Sequence, residues 1–409
     1  MRRLLPAIAL YFLLGIVAPG DTLRLSPVGR LAAPYQYNFL AWEITHLPAK
    51  WLRWAGEAVL PFRPNTDIPM QVVERYFRLE AEVRQMRERL SRTVAAGGPE
   101  APRLERELRE LEQRRDELRP RTEATLEAAI SSVLAEEGIP FRVGKVIFPP
   151  VDFALDDPPT VLVVSPRDRI VMKEQVYLRS DISTREQEGL EEAVLGREDL
   201  SALVEGVGGI STYPSMINPG DLRHAASVAS HEWLHQYLFL RPLGQNYRRS
   251  PEMDALNETL ANLVSEELAD RVVARLRGEP VPPGRSGPRE TTPETCPPGA
   301  FCFGREMRFT RLQVEALLAQ GRVEEAEAYM EERRQTFVRE GYPIRKLNQA
   351  YFAFHGTYAD SPASTSPIFG QLQRLRRSFP SLAGFVHALA SVSRYEEFEG
   401  LLQERAPAP

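Results

Sequence analysis

Residues 224–240 read HAASVASHEWLHQYLFL and contain neither glycine nor proline. Apolar residues occur nearly all the way round the helical period, so the stretch predicts a helix buried on every side. The fold has to be built around it. The helix also carries His231, Glu232 and His235 inward, and desolvating three such groups without a partner is costly. Histidines four apart project from one face of a helix, one turn from each other. Both imidazoles can then reach a single Zn²⁺, with Glu232 beside a water that the ion activates. The HExxH pattern alone arises by chance in about one chain in a hundred of this composition, so a second feature has to support it.

Residues 254–267, DALNETLANLVSEE, supply that feature. A catalytic zinc usually takes three protein ligands and leaves a fourth position for water. Glu258 stands 23 residues after His235, with Asn257 before it and Asn262 one turn later. Asp254, Glu258 and Asn262 form a polar stripe beside Leu256, Leu260, Leu263 and Leu268. A solvated stripe would more often carry Lys or Arg, and this one has neither. The expected ligands are therefore His231, His235 and Glu258, with Asn257 and Asn262 beside them.

HEWLH followed by NETLAN resembles the gluzincin pattern of zinc metallopeptidases, in which HExxH is followed some twenty residues later by Asn-Glu on a second helix. The chain also resembles predicted bacterial zinc peptidases with a GG-x-S-x-YP stretch upstream, here Gly208 to Ser215, and an Asn-Tyr-rich helix downstream. The resemblance spans about residues 161–401 and its specific part is the two zinc motifs. It implies peptide or protein substrates, His231, His235 and Glu258 as zinc ligands, and Glu232 as general base. Gluzincins commonly have Asp four residues after the third ligand, where this chain has Asn262. A neutral amide behind a ligand histidine would make that ligand less basic. Gluzincin aminopeptidases also carry a strand glutamate for the free amine. No acid lies between Gly206 and Gly220, so endopeptidase and aminopeptidase both stay open.

Two further stretches bear on a site. GVGGISTYPSMI (206–217) is Gly-rich, then β-like, and has no phosphate-loop spacing. Gly209, Ile210, Ser211 and Thr212 are expected on an edge strand that pairs with an extended peptide. KLNQAYFAFHGTY (346–358) places Asn348, Tyr351, His355 and Tyr358 on one helical face. Such a stripe is more often packing than catalysis, and Tyr351 and His355 are the candidates for stabilising an oxyanion.

The 409 residues suit two or three domains. Lys plus Arg number 51 against 56 Asp plus Glu, interleaved, so nothing calls for a nucleic-acid partner. The start, MRRLLPAIALYFLLGIVAPGD, has the basic, apolar and small-residue order of a signal peptide. Cleaved signal and short uncleaved anchor are both open, and a buried N-terminal helix is the bland alternative. Residues 34–62 hold three of the four tryptophans, Trp42, Trp51 and Trp54, and suit an interfacial helix pair or a Trp-rich core segment. Membrane association, if any, runs through residues 1–60. HExxH does not sit in a spanning helix on this reading, because no other long apolar span accompanies it.

A heptad seam runs through Val72, Tyr76, Leu79, Val83, Met86 and Leu90, breaks at residues 95–102, and returns at Leu104, Leu108, Leu111 and Leu118. That predicts an antiparallel coiled-coil-like hairpin. A helix over Thr122 to Glu137 should end at Gly138. Residues 141–148, 160–165 and 169–178 read as strands, and STRE (183–186) as a capping box opening a helix to about Glu205. Cys296 and Cys302, the only cysteines, make a small disulfide loop if the chain is exported and free thiols if it is not.

The fold class is α+β, mostly α, with a small mixed sheet and active-site helices. The organisation is a signal or anchor (1–20), a Trp-rich juxtamembrane segment (21–69), the hairpin (70–137), a zincin-like catalytic lobe (138–277), a Pro/Gly-rich linker or loop (278–303) and a helical C-terminal lobe (304–409). The expected function is zinc-dependent peptide hydrolysis. The alternative is a membrane-proximal scaffold with a structural or degenerate zinc site, against which Glu232 argues, since a structural site has no use for a base. Arg2 and Arg3 before the apolar run place the body outside the cytoplasm. Protease added to intact cells or spheroplasts should digest it; full protection until lysis would refute that topology.

Overall fold

A computed structural model describes residues 25–42, 45, 70–96, 98–143, 146–281, 296–297 and 299–407. The signal or anchor of residues 1–20, Trp51, Trp54 and residues 282–295 of the linker lie outside the described residues. The architecture is α+β and mostly α. No helix among the described residues is long and apolar enough to cross a membrane.

Helix α1 (Pro27–Ala32) starts at Ser26, whose hydroxyl accepts from the Gly29 N–H at 2.8 Å. Beyond it, Phe39 and Trp42 are buried against Ala154 and Met216, so Trp42 belongs to the core. Helices α2 (Met70–Ala95) and α3 (Ala101–Asp116) form the expected hairpin. Tyr76, Leu79, Val83 and Leu104 of the seam are buried, and Val73 takes the place expected of Val72. A buried Arg115–Glu80 pair at 2.9 Å ties the two helices. Helix α4 (Arg119–Glu137) ends at Gly138 in the left-handed conformation, φ 75°, where a side chain would be strained.

The strands of the described residues form three small sheets, one of them mixed as expected. Residues 141–148 fold back on themselves as β1 (Phe141–Val143) and β2 (Val146–Phe148). Strands β4 (Thr160–Pro166), β5 (Glu174–Leu178) and β6 (Leu200–Gly206) form an antiparallel sheet in the order β5-β4-β6. Its two faces are both covered: Leu162, Val164, Ala202 and Val204 pack with α1 and helix α5 (Thr184–Glu198), while Val161, Val163 and Leu203 meet Ala350. That double burial explains one misreading. Helix α5 opens on the Ser183/Glu186 capping box as expected but stops at Glu198, with Asp199 left-handed. Residues 200–204 are buried without alternation, so the period-2 signal of a strand is missing.

The third sheet has the order β3-β8-β7, with β3 (Phe153–Leu155) parallel and β7 (Gly209–Ile210) antiparallel to β8 (Ser215–Ile217). Its outer β3 edge is sealed. Glu127 and Glu123 of α4 accept from the Phe153 and Leu155 N–H groups at 3.2 and 2.9 Å. Among the described residues β7 pairs with no strand but β8, so the open edge is the one beside the HExxH helix.

That helix is α6 (Leu222–Phe239), capped by Asp221, and a short α7 (Pro242–Gln245) leads to α8 (Pro251–Arg277). The predicted 304–409 segment supplies α9 (Phe303–Ala319), α10 (Val323–Arg339), α11 (Gln349–His355), α12 (Ile368–Arg377), α13 (Leu382–Ala390) and α14 (Tyr395–Arg405). Residues of α12–α14 share one core with α4, α6 and α8, whereas α9 and α10 build a second around Met307, Met330 and Phe337. Cys296 and Cys302 are joined in a disulfide.

Glu191 of α5 fixes the sheet to the segment before α11. Its carboxylate, 1% exposed, accepts from Arg345, from Lys346 at 3.0 Å and from the Val204 N–H at 2.7 Å. Burial would raise its pKa, but these donors outweigh burial and hold it below the ordinary range. We expect Glu191→Gln to cost about 3 kcal/mol in urea unfolding. A depressed folded-state pKa stabilises above the unfolded value of about 4.3 and loses that contribution as pH falls. The gap between variant and wild type should therefore close in acid.

Candidate metal centre

Helices α6 and α8 lie antiparallel and are joined at successive levels. Arg223 bonds Glu266 and Asp270 at 2.7 and 2.8 Å, and Ser227 meets Ser265 at 3.4 Å. Further along come His231 and His235 opposite Glu258. Small buried residues, Ala225, Ala226 and Ala229 on α6 and Ala261 on α8, belong to the core that holds the pair together.

The three residues predicted as ligands converge. His231 Nε2 and His235 Nε2 are 2.9 Å apart, and each is 3.5 Å from Glu258 Oε2. One donor atom from each lies within 4.8 Å of the others, a grouping able to hold a metal ion. Glu258 is 7% exposed. Its second oxygen, Oε1, accepts from the Tyr247 hydroxyl at 2.6 Å. Tyr247 thus fixes the carboxylate so that a single oxygen faces the imidazoles.

The electrostatics ask for a cation. Burial disfavours a proton on His235, but Glu258, helped by Glu232 and Asn257, outweighs it and holds the imidazolium up to about 9. Glu258 is in turn held well below the usual carboxylate range by the two histidines, against its own burial. A field that keeps a proton in place at neutral pH equally favours a metal ion. Two imidazoles and one carboxylate at these separations are a donor set zinc commonly takes. The residues present therefore fit the ion.

Glu232 is buried beside this group, and burial raises its pKa against the pull of His231 and His235. Its neighbour is the predicted substrate stretch. A Cβ at Gly209 would stand 2.6 Å from Val228 Cγ1 and 2.8 Å from Glu232 Oε1, so only glycine lets β7 come this close. Ser211 donates to the Glu232 carbonyl at 3.0 Å, and Gln236 donates to the Thr212 carbonyl at 2.8 Å. Gly209 and Ile210 form β7, while Ser211 and Thr212 turn away after it.

Asn257 is 1% exposed and lies against His235. The expectation for Asn262 needs correction. Its amide donates to both oxygens of Asp360 at 3.2 Å and so serves a carboxylate instead of a ligand histidine. Asp360 feels the charge of His231, which opposes the rise that burial imposes on its pKa. The negative charge absent at position 262 is returned from another segment. One residue earlier, the Ala359 N–H donates to Thr259 Oγ1 at 2.9 Å, so residues 359–360 are clamped onto α8.

The ring centroids of Tyr351 and His355 are 4.3 Å apart with the rings tilted 44° to each other, and His355 Nε2 lies 3.7 Å from Glu205. Helix α11 ends at His355, so Tyr358 leaves the predicted stripe. The charges of Glu258 and Glu232, with burial, raise its hydroxyl well above the ordinary tyrosine range. Tyr177 of β5 feels both glutamates as well. Sequence reasoning missed Tyr247; the available signal was a tyrosine in the short connector between two ligand-bearing helices.

Comparisons with protein-family models, with curated proteins and with solved structures find no match, so geometry alone carries the reading of this site. We expect the chain to bind about one Zn²⁺, measured by metal analysis after dialysis, and to lose it in His231→Ala, His235→Ala or Glu258→Ala. Tyr247→Phe should weaken binding about 10–100-fold against a competing chelator. Stoichiometric zinc in Glu258→Ala would overturn the third-ligand assignment.

Proposed function

We propose that the chain is a zinc-dependent peptidase. The observation that carries this reading is a buried carboxylate, Glu232, lying between a His₂Glu cluster and an open strand edge. His231, His235 and Glu258 would hold the ion, which supplies Lewis acidity to a water and to the scissile carbonyl.

The chain's own groups do the rest. An extended peptide pairs with β7 through its main chain, the one edge of that sheet left open beside Glu232. Glu232 takes the proton of the attacking water and delivers it to the leaving amine. Its raised pKa suits both halves of that task, since a base too weakly basic would not accept the proton. Tyr358 remains protonated near both glutamates and donates a hydrogen bond to the oxygen on which negative charge develops. The Cys296–Cys302 disulfide supports an exported or membrane-anchored body outside the cytoplasm, since such bonds persist in oxidising compartments.

Glu232→Gln keeps size and hydrogen bonding but cannot take up the proton. It should retain zinc and fold while losing cleavage of an unbiased peptide library by about 10²–10⁴-fold. His231→Ala should lose both metal and activity. A structural zinc site gives another pattern, with Glu232→Gln silent and metal removal unfolding the protein. Equal cleavage by wild type and Glu232→Gln would refute the mechanism.

A further inference from the structure

The connector between α6 and α8 presents a cation toward the site. Arg248 follows Tyr247 directly, and its guanidinium carbon lies 5.7 Å from the centre of the Tyr247 ring. The hydroxyl of that same ring bonds the ligand Glu258 at 2.6 Å. On the other side, Arg248 Nη2 reaches Gln175 Oε1 at 3.4 Å. Gln175 is two residues before Tyr177 on β5 and therefore shares its face, and Tyr177 is the residue that feels Glu232, Glu258 and Arg248 together. The guanidinium thus bridges the ligand connector and the edge strand β5, one ring's length from the cluster.

Two features bear on what Arg248 can bind. Its backbone is left-handed, φ 67°, a conformation that costs a non-glycine residue of order 1 kcal/mol. The turn is held by its N–H, which donates to Asp254 Oδ1. Among the described residues no carboxylate lies within ion-pair distance of the guanidinium, unlike that of Arg223 at the other end of the α6–α8 pair. A strained backbone fixed by a half-buried helix residue holds an exposed fork of donors without an ion-paired anion, next to a site whose substrate chain would lie along β7.

We propose that Arg248 is a specificity-determining residue that binds a carboxylate of the substrate. The inference rests on the peptidase reading for its substrate class. Arg binds carboxylates through paired N–H donors, and the group it would take here is either the C-terminal carboxylate of a peptide or an acidic side chain. No acid was found on the 206–220 stretch to hold a free amine, so the recognition chemistry here favours the anionic end of a peptide.

The test uses zinc-loaded full-length chain in the Glu232→Gln background, so that bound peptides survive. Three peptide libraries are offered and retained peptides counted by mass spectrometry after gel filtration: neutral sequences with a free C-terminal acid, the same sequences amidated, and amidated sequences carrying one Asp or Glu. A charge-assisted pair predicts at least about tenfold stronger retention of one carboxylate-bearing library over the neutral amides. The arm that is retained identifies the source of the carboxylate. Adding Arg248→Gln should abolish the preference, and Arg248→Lys should restore part of it. Equal retention of all libraries, retention of none, or a preference indifferent to Arg248→Gln would overturn the proposal. Carboxylate-dependent retention by a chain that, with Glu232 intact, cleaves nothing would remove the peptidase reading and leave this one standing.

Discussion

The contact on which the rest of the site depends is the buried approach of Glu258 to two imidazoles, 3.5 Å from each. A carboxylate placed there is unstable without compensation. The fold supplies compensation at every level. The antiparallel pairing of α6 and α8 sets the distance, small alanines allow it, and Arg223 and Ser227 fix the register further along. Tyr247 takes the remaining carboxylate oxygen. What is left is one oxygen and two nitrogens facing each other with a need for positive charge.

The surroundings of this contact come from distant parts of the chain. Tyr177 arrives on β5, Tyr358 and Asp360 on the segment after α11, and Tyr247 and Arg248 on the connector. Asn262 is the junction. Read alone it looks like a loss of charge beside the two histidines, but its amide holds Asp360, whose carboxyl feels the charge of His231. A residue's contribution here is set by its partner more than by its own identity.

The sequence made the grouping of His231, His235 and Glu258 legible because helical spacing is local. Histidines at 231 and 235 share a face whatever surrounds them, and the apolar stripe of α8 aims Glu258 inward. Caps were legible for the same reason: the Ser183/Glu186 box and the Gly138 stop were both found. What failed was non-local. Strand β6 was read as helix because both its faces are buried, and the pairing of strands into three small sheets carries no local signal. Tyr351 and His355 were singled out by a stripe that ends with α11, three residues short of Tyr358, the tyrosine whose hydroxyl the charges of Glu258 and Glu232 raise.

The sealing of β3 by Glu123 and Glu127 has a consequence for how molecules of this chain meet each other. A sheet with two open edges can recruit copies without limit, which is the geometry of fibre growth. Here growth is blocked on one side by carboxylates belonging to a helix of the same core. Two copies joining through β7 would make a continuous six-stranded sheet from two of three strands each. Both its ends would be closed, so assembly through this sheet stops at a pair.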